Sequence, residues 1–591
     1  MRQPLLEAPG PARAAAVLER LLGDPADPDR TFSHARSAAL DDTETFPLEI
    51  CRELDALGLP RHYVPAAFGG ALRGYDEALD LMRVVARRDL TVAIAHGKTF
   101  LGAVCVWVAG DPAQARRLGE LVADGAVVSW ALTERDHGSD LLACEVMAEP
   151  LPDAAGGYRL TGEKWLINNA SRGRLLCVLA RTSPEAGSRG FSVLLVDKHQ
   201  LPPGRHHSLP GPPLHGIRGA DISGIAFDGA EVPASALVGK AGEGVETVLK
   251  SLQLTRTLCS SLSLGAADQA LGMAVQYTAE RQNYGRPLID LPQTRQLVTD
   301  SYAELLLAEA TALVTTRSIH TLPGELAVLS AAAKSFVPTL VDGSIRRLAK
   351  VMGSRALLAG DTHRHGRFQK VQRDHRVVGI FDGSTVVNLQ ALIAHFPALA
   401  RGYRRRAVDA PGLAAACDPA AGLPAFDRTR LELLSRRGCS PVQAVPAAVE
   451  ELRALAGDGT VPASLVELAA RWQTFIEELV DRLSEQRPTA SATPARAFAL
   501  AERYSACVAA SAALHLWLRG RHLAPQGTAA LWDSGLWLES ALSGLLHRLA
   551  PQLQGPCPDE VAERLVSVLL AGSRGGTLPS LMPSSPREAT R

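Results

Sequence analysis

Lysine is scarce in this 591-residue chain: eight of its 62 basic residues are lysine, and none lies beyond Lys370. Arginine carries the rest of the positive charge, and 62 acidic residues balance it to a formal net charge of zero. That balance excludes a strongly basic nucleic-acid reader, which needs a positive face for phosphate. The nine cysteines include no CxxC pair, which argues against a disulfide framework or a structural zinc site. No uninterrupted apolar run reaches about 18 residues, so no membrane-spanning segment is expected. The opening MRQPLLEAPGPAR lacks the charged, apolar and small regions of a secretory leader, and the expected location is the cytoplasm. Aromatics are few, at 5%, yet 46% of residues are apolar. Disorder is therefore excluded as the dominant state, and the length calls for three or four domains.

Apolar spacing of three and four predicts an N-terminal helical domain over 1–125, broken by a Pro/Gly loop at 64–70. From 126 to 240 the period changes. Short runs rich in Val, Ile, Leu and Thr between turn residues predict a domain of antiparallel strands, barrel-like in outline. Helices return over 241–406, with 245–282 as one long helix or two, then 294–318, 324–351 and 385–400, a set suited to a four-helix bundle. An Ala/Pro/Gly-rich stretch at 407–429 reads as a linker. An additional helical domain follows over 430–591, with a second break at 486–494. The fold class is mainly α with a central antiparallel β-domain.

Five stretches carry the chemistry. Ala131-Leu132-Thr133-Glu134-Arg135-Asp136-His137-Gly138-Ser139-Asp140 ends a strand in a turn lined with hydroxyls and carboxylates, which suits a polar ring edge or a phosphate. Gly162-Glu163-Lys164-Trp165-Leu166-Ile167-Asn168-Asn169 is a strand ending in amides. Phe227-Asp228-Gly229-Ala230-Glu231-Val232-Pro233 precedes the Gly239, Gly242 and Gly244 cluster and a helix. Glu280-Arg281-Gln282-Asn283-Tyr284-Gly285-Arg286-Pro287 ends a helix, with Gln293 beyond. Last, Arg373-Asp374-His375-Arg376 leads into Ile380-Phe381-Asp382-Gly383-Ser384-Thr385. Alone, each has a plainer reading: Thr133 and Ser139 as turn caps, Arg281 as a cation at a helix C-terminus, Asp382-Gly383 as a turn dipeptide.

In this order and at this spacing, the five stretches together resemble the acyl-CoA dehydrogenase family over residues 50–400. The C-terminal helices are similar in length and helicity to those of very-long-chain dehydrogenases and acyl-CoA oxidases. The resemblance implies FAD, a homodimer at least, and an acyl thioester substrate on coenzyme A or on an acyl carrier protein. A carboxylate would take the α-proton while the β-hydride passes to the flavin. The electron acceptor would be an electron-transfer flavoprotein or oxygen, and neither nucleic acid nor metal is implied. It also implies that Thr133 lies beside the flavin ring and Ser139 near the FAD pyrophosphate. Arg281 would reach FAD in the partner subunit, with Gln293 following it one residue farther on than usual. Ser384 or Thr385 would lie at the pyrophosphate.

Four departures from the family pattern matter. The usual glutamate base is Asp382 here, one methylene shorter. The alternative base position, before an arginine on the first bundle helix, is Thr255 beside Arg256, both at the substrate site. Leu166 and Asn168 replace a tryptophan and a threonine at the flavin, and Trp165 is expected on the opposite strand face. Lys350 and Gly353 stand in the family's Gln-x-x-Gly-Gly pattern, with Lys350 facing either an FAD phosphate or solvent. Two alternatives follow: an oxidase of the same superfamily, or a thioester-binding homologue without full catalysis. Nitroalkane oxidases use an aspartate base but carry an arginine seven residues later, where this chain has Leu389. A basic cluster, Arg401, Arg404, Arg405 and Arg406, could face an acidic carrier protein or simply solvent.

Overall fold

Several helix starts in the first third of the chain carry side-chain caps. Asp89 accepts from the Val92 N–H at 3.0 Å and opens the helix Leu90–Ala109. Asp111 accepts from Ala113 and Gln114 ahead of Pro112–Ala123, with proline in the first turn, the position where its missing N–H costs nothing. The structure, a computed structural model, describes residue 5 and residues 11–152, 156–184, 187–360, 364–486, 493–523, 529–573 and 578–581. The chain divides into two compact units: the described parts of 1–9, 17–73 and 88–255, and those of 10–16, 74–87 and 256–591.

In the first unit, the helix Leu90–Ala109 lies directly on a sheet. A methyl group at Gly102 would sit 2.2 Å from the Val128 carbonyl oxygen. The sheet has eight strands: β1 (Val128–Ala131), β2 (Met147–Pro150), β3 (Tyr158–Asn168), β4 (Leu175–Arg181), β5 (Phe191–Asp197), β6 (His206–Leu209), β7 (Ile222–Val232) and β8 (Leu237–Val238). Their order is β6-β7-β3-β2-β4-β5-β8, with β1 also on β4. Most pairs are antiparallel as expected, but β1 and β2 both run parallel to β4. The register gives the reason: Val128–Ala131 lies opposite Leu175–Val178, and Met147 opposite Arg181. The chain leaves one edge of β4 after Ala131, makes the loop 132–146, and rejoins the same edge in the same direction.

In the second unit, Ser260–Glu280, Pro292–Thr321, Leu326–Met352 and Thr385–Arg405 are the main bundle helices. The stretch 245–282, open between one helix and two, is two: Gly244–Leu258 and Ser260–Glu280, parted at Cys259. Arg83 joins the bundle core through a two-pronged pair with Asp268, 2.8 Å on each prong. Among the described residues, two segments, Leu90–Ala109 and Pro323–Leu357, are long and apolar enough to cross a membrane, and 78% of the apolar stretch in each is buried inside the protein.

The stretch 407–429, expected as a linker, contains the helix Ala410–Cys417. The buried Arg317 holds it down, donating to the carbonyls of Ala415, Ala416, Asp418 and Ala421 while pairing with Asp76 at 2.9 Å. Composition predicts flexibility there, but one guanidinium supplies enough donors to fix the segment. The C-terminal helices Ala463–Ser484 and Ala495–Gly520 continue the same unit. Ser505 bonds Ser335 at 3.0 Å, and Ser440 donates its backbone N–H and its hydroxyl to Glu325 at 2.7 and 2.6 Å. Of the break expected at 486–494, residues 487–492 lie outside the described residues.

Burial pushes the Glu325 carboxyl up to about 7, against the pull of the Ser440 bonds. A native acid with a raised pKa holds its proton where the unfolded chain has released it. Stability should therefore fall as pH rises from about 4.5 to about 7, by up to ~1.4 kcal/mol per unit. Glu325→Gln should remove this component, so the stability gap between variant and wild type should widen in the variant's favour across that window in urea titrations. A pH-independent gap would show that Glu325 does not titrate there.

Candidate functional site

The loop 132–146 is held by a buried ion pair. Lys164 on β3 is fully buried, and its ammonium donates to Glu134 at 2.8 Å and to the Leu132 carbonyl at 2.9 Å. Glu134 also accepts from the N–H groups of Glu145 and Val146 at 2.7 and 3.1 Å, and from the Cys144 thiol at 2.9 Å. Burial pushes the Glu134 carboxyl up, but Lys164 and these donors outweigh it and hold the group below its ordinary value. One carboxylate thus ties both ends of the loop together, and a lysine pins that carboxylate to the sheet. Sequence reading quoted both residues without giving either a role. The pair is 30 positions apart, and nothing local marks it.

Thr133 and Asn168 flank this anchor. The Thr133 hydroxyl donates to the Trp165 carbonyl at 2.9 Å, and the Trp165 N–H donates to the Thr133 carbonyl at 3.1 Å. Asn168, the last residue of β3, has both its side-chain oxygen and nitrogen buried and without a protein partner. An amide in that state is matched only by a group offering both a donor and an acceptor. Ser139 is exposed at the loop's outer turn.

Strict alternation along β3 fails at the position where the family carries tryptophan. The pairing with β7 shifts between Trp165 and Ile167, and Leu166 has φ +58°. A bulge of this kind re-aims the side chains around it. Leu166 is 45% exposed, while the Trp165 ring lies under the Arg135 guanidinium at 4.2 Å. The expectation built on a regular two-residue period therefore does not apply across this bulge.

The second unit holds Asp382 in a tightly constrained turn. Asp382 has φ +55° and Gly383 φ +85°, two successive residues in the left-handed region. Arg256 donates through Nε to the Asp382 carbonyl at 3.1 Å. A methyl group at Gly383 would stand 2.8 Å from the same guanidinium, so glycine is required here for both angle and space. Lys334, fully buried, donates to the carbonyls of Val378 at 2.6 Å and Gly383 at 3.3 Å, and lies 5.4 Å from the Phe381 ring centre. Asn388 donates to the carbonyls of Gly383 and Ser384. Ser384 caps the helix Thr385–Arg405, and the Thr385 hydroxyl donates to the Gly379 carbonyl at 3.3 Å.

A cation and a neutral imidazole lie near this turn. Burial lowers the Arg256 guanidinium to about 10, with the Asp382 charge opposing that shift, and it stays charged at neutral pH. His375 is driven down to about 3 by burial and by Lys334, so it is neutral, and its Nε2 is 3.0 Å from the Ser263 hydroxyl. Thr255 is buried and donates to the Leu252 carbonyl at 3.4 Å, supplying no carboxylate.

The structure places the remaining expected residues at the surface of the second unit. Arg281 caps the helix Ser260–Glu280 and is exposed, as are Gln293, Lys350 and Gly353. Beside Arg281, a two-stranded turn pairs Gln282–Asn283 with Arg286–Pro287 and carries Tyr284, 92% exposed. In the first unit, a cavity of about 530 Å³ is lined by Asp55, Tyr63, His96 and Arg172 among others. There His96 joins the Tyr63 hydroxyl at 2.7 Å to Asp55 at 3.0 Å. Asn169, from the second of the sequence stretches, also lines it, while none of the residues given a role from the sequence does.

Comparison with known proteins identifies three consecutive domains. The acyl-CoA dehydrogenase N-terminal domain matches residues 30–126, the middle domain 129–230 and the C-terminal domain 242–396. A cyclohex-1-ene-1-carbonyl-CoA dehydrogenase from Geobacter metallireducens is 28% identical over 363 residues, covering 60% of this chain and 90% of that protein. An acyl-CoA dehydrogenase from Bacillus anthracis, solved with FAD, superposes with a TM-score of 0.67 at 17% identity. It covers 96% of this chain and 95% of that one, so the likeness of fold extends through the C-terminal helices. A prolyl acyl carrier protein oxidase superposes with a TM-score of 0.56 at 17% identity, over 61% of this chain and 93% of that one.

Breaking a buried pair strands a charge, at about 3–5 kcal/mol. Lys164→Met and Glu134→Gln should each destabilise the protein on that scale, and the double variant should lose less than the sum by at least ~1 kcal/mol. Chemical denaturation of the four proteins measures this. Additive losses would mean that the two side chains do not act as a unit.

Proposed function

The chain belongs to the acyl-CoA dehydrogenase family, and on that premise we propose that it performs α,β-dehydrogenation of an acyl thioester with Asp382 as the base. The protein is a flavoprotein oxidoreductase of that family, and its cofactor is FAD. The residues present fit the cofactor. The unpartnered amide of Asn168 offers a donor and an acceptor to a ring edge. Thr133, whose proton is committed to Trp165, keeps oxygen lone pairs to accept from a ring N–H. Leu166 gives an apolar surface in place of an aromatic one. The chemistry FAD supplies when bound is acceptance of the β-hydride.

The observation that carries the reading is the Asp382 turn. An α-proton of a thioester is weakly acidic, and its removal needs a carboxylate held in place at the moment of transfer. Arg256, Lys334 and Asn388 fix the backbone on which Asp382 sits. The alternative position at Thr255 offers no base. Leu389, buried in the following helix, stands where nitroalkane oxidases carry arginine, which weighs against that chemistry.

The acyl group is carried on coenzyme A or on an acyl carrier protein. Arg401 and Arg405 are exposed at the end of the helix Thr385–Arg405 and suit an acidic carrier, whereas Arg404 is paired with Asp481 at 2.9 Å and Arg406 lies against Tyr403. The acceptor of the electrons is an electron-transfer flavoprotein or oxygen, and the protein acts in the cytoplasm as a homodimer at least. The exposed Arg281 and the projecting Tyr284 support a dimer, because a second subunit would cover both.

Three outcomes follow. Anaerobic bleaching of the flavin by a panel of acyl thioesters, on coenzyme A and on carrier protein, should reveal a substrate. Asp382→Asn should slow that bleaching by about 10²–10⁴-fold with FAD still bound. Bleaching at the wild-type rate would remove the base assignment. Light scattering should give at least a dimer, and a monomer retaining full flavin would contradict the role of Arg281.

A further inference from the structure

Arg256 and Cys259 are three residues apart, at the junction of the helices Gly244–Leu258 and Ser260–Glu280. That spacing places them on one face, and both reach Asp382. Arg256 grips its backbone carbonyl at 3.1 Å, while the Cys259 thiol donates to its carboxylate Oδ2 at 3.2 Å. Cys259 is itself buried at 3% exposure. From this juxtaposition we propose that Cys259 is a positioning residue for Asp382: its S–H bond sets the orientation of the carboxylate. The proposal deepens the reading of Asp382 as base and rests on it.

The physical need is specific to an aspartate. A carboxylate one methylene closer to the backbone reaches its target only from a narrow set of rotamers, and a misplacement of about 1 Å can cost ~10²-fold in rate. Fixing the main chain at residue 382 leaves two side-chain torsions to settle. A thiol is a weak donor, but toward an ionised acceptor in a buried site a single bond is enough to bias them. Charged and titratable groups near the turn include Arg256 on Gly244–Leu258, Lys334 on Leu326–Met352 and the neutral His375 on Arg367–His375. All three remain when Cys259 is replaced, so they do not mask the change.

The test uses FAD-loaded wild type, Cys259→Ala, Cys259→Ser and Asp382→Asn, read by single-turnover bleaching at neutral pH and by infrared spectra of the S–H stretch. Cys259→Ala should slow bleaching by about three- to tenfold at neutral pH. Cys259→Ser should restore the rate, since a hydroxyl donates in the same place. The S–H band missing from Cys259→Ala should shift in Asp382→Asn, where the acceptor is no longer charged. FAD stoichiometry should stay at the wild-type value throughout. An unslowed Cys259→Ala, slowing that serine does not rescue, or an S–H band unmoved in Asp382→Asn would overturn the role of the cysteine while an inactive Asp382→Asn left the base in place. Full activity in Asp382→Asn would instead overturn the base reading and the proposal with it.

Discussion

Two buried cations gripping backbone carbonyls set the conformation on which the proposed chemistry depends. Arg256 and Lys334 have their hydrogen bonds directed at the carbonyls of Val378, Asp382 and Gly383. An L-residue in the left-handed region costs about 1–2 kcal/mol, and Asp382 is held there with Gly383 directly after it. Asparagine and aspartate tolerate that region better than longer side chains. The replacement of the family's glutamate by aspartate therefore accords with the backbone at this position, whatever it does to reach. The guanidinium also occupies the space a side chain at residue 383 would need, so the turn, the glycine and the arginine form one unit.

The same device recurs in the first unit. Lys164 holds the loop 132–146 through Glu134 and the Leu132 carbonyl, and it too is fully buried. Of the eight lysines in a chain that otherwise uses arginine, two thus hold the two loops to which the family resemblance assigns flavin and base. A lysine ammonium is a compact charge with three donors, suited to binding several carbonyls converging from different directions, whereas the flat arginine fork suits paired acceptors. Burying such a charge without adequate acceptors would be costly. Each of these lysines meets at least two oxygen acceptors, and each in return fixes the segment that supplies them.

Much of the fold was legible because it rests on periodicity and caps. The change from helical to strand spacing near residue 126 coincides with β1, and the helices of the second unit lie close to their expected ranges. Cys259 divides the expected long helix 245–282, a break that no proline or glycine marks. The parallel pairing of β1 and β2 with β4 was hidden because strand direction depends on where a loop re-enters the sheet. The helix Ala410–Cys417 was hidden because its anchor, Arg317, lies far away in sequence. Motif order singled out Thr133, Asn168 and Asp382 from the sequence. The bulge at Leu166 and the contacts of Lys164, Lys334 and Cys259 are tertiary, and no local spacing announces them.

The most direct measurement is an experimental structure of the FAD-loaded protein with an acyl thioester analogue that cannot be dehydrogenated. The account predicts an Asp382 carboxylate oxygen about 3–3.5 Å from the α-carbon, as a near-attack arrangement requires. It also predicts that the left-handed turn at 382–383 is retained. A different carboxylate at that distance, or Asp382 turned away with its chain in another conformation, would contradict it.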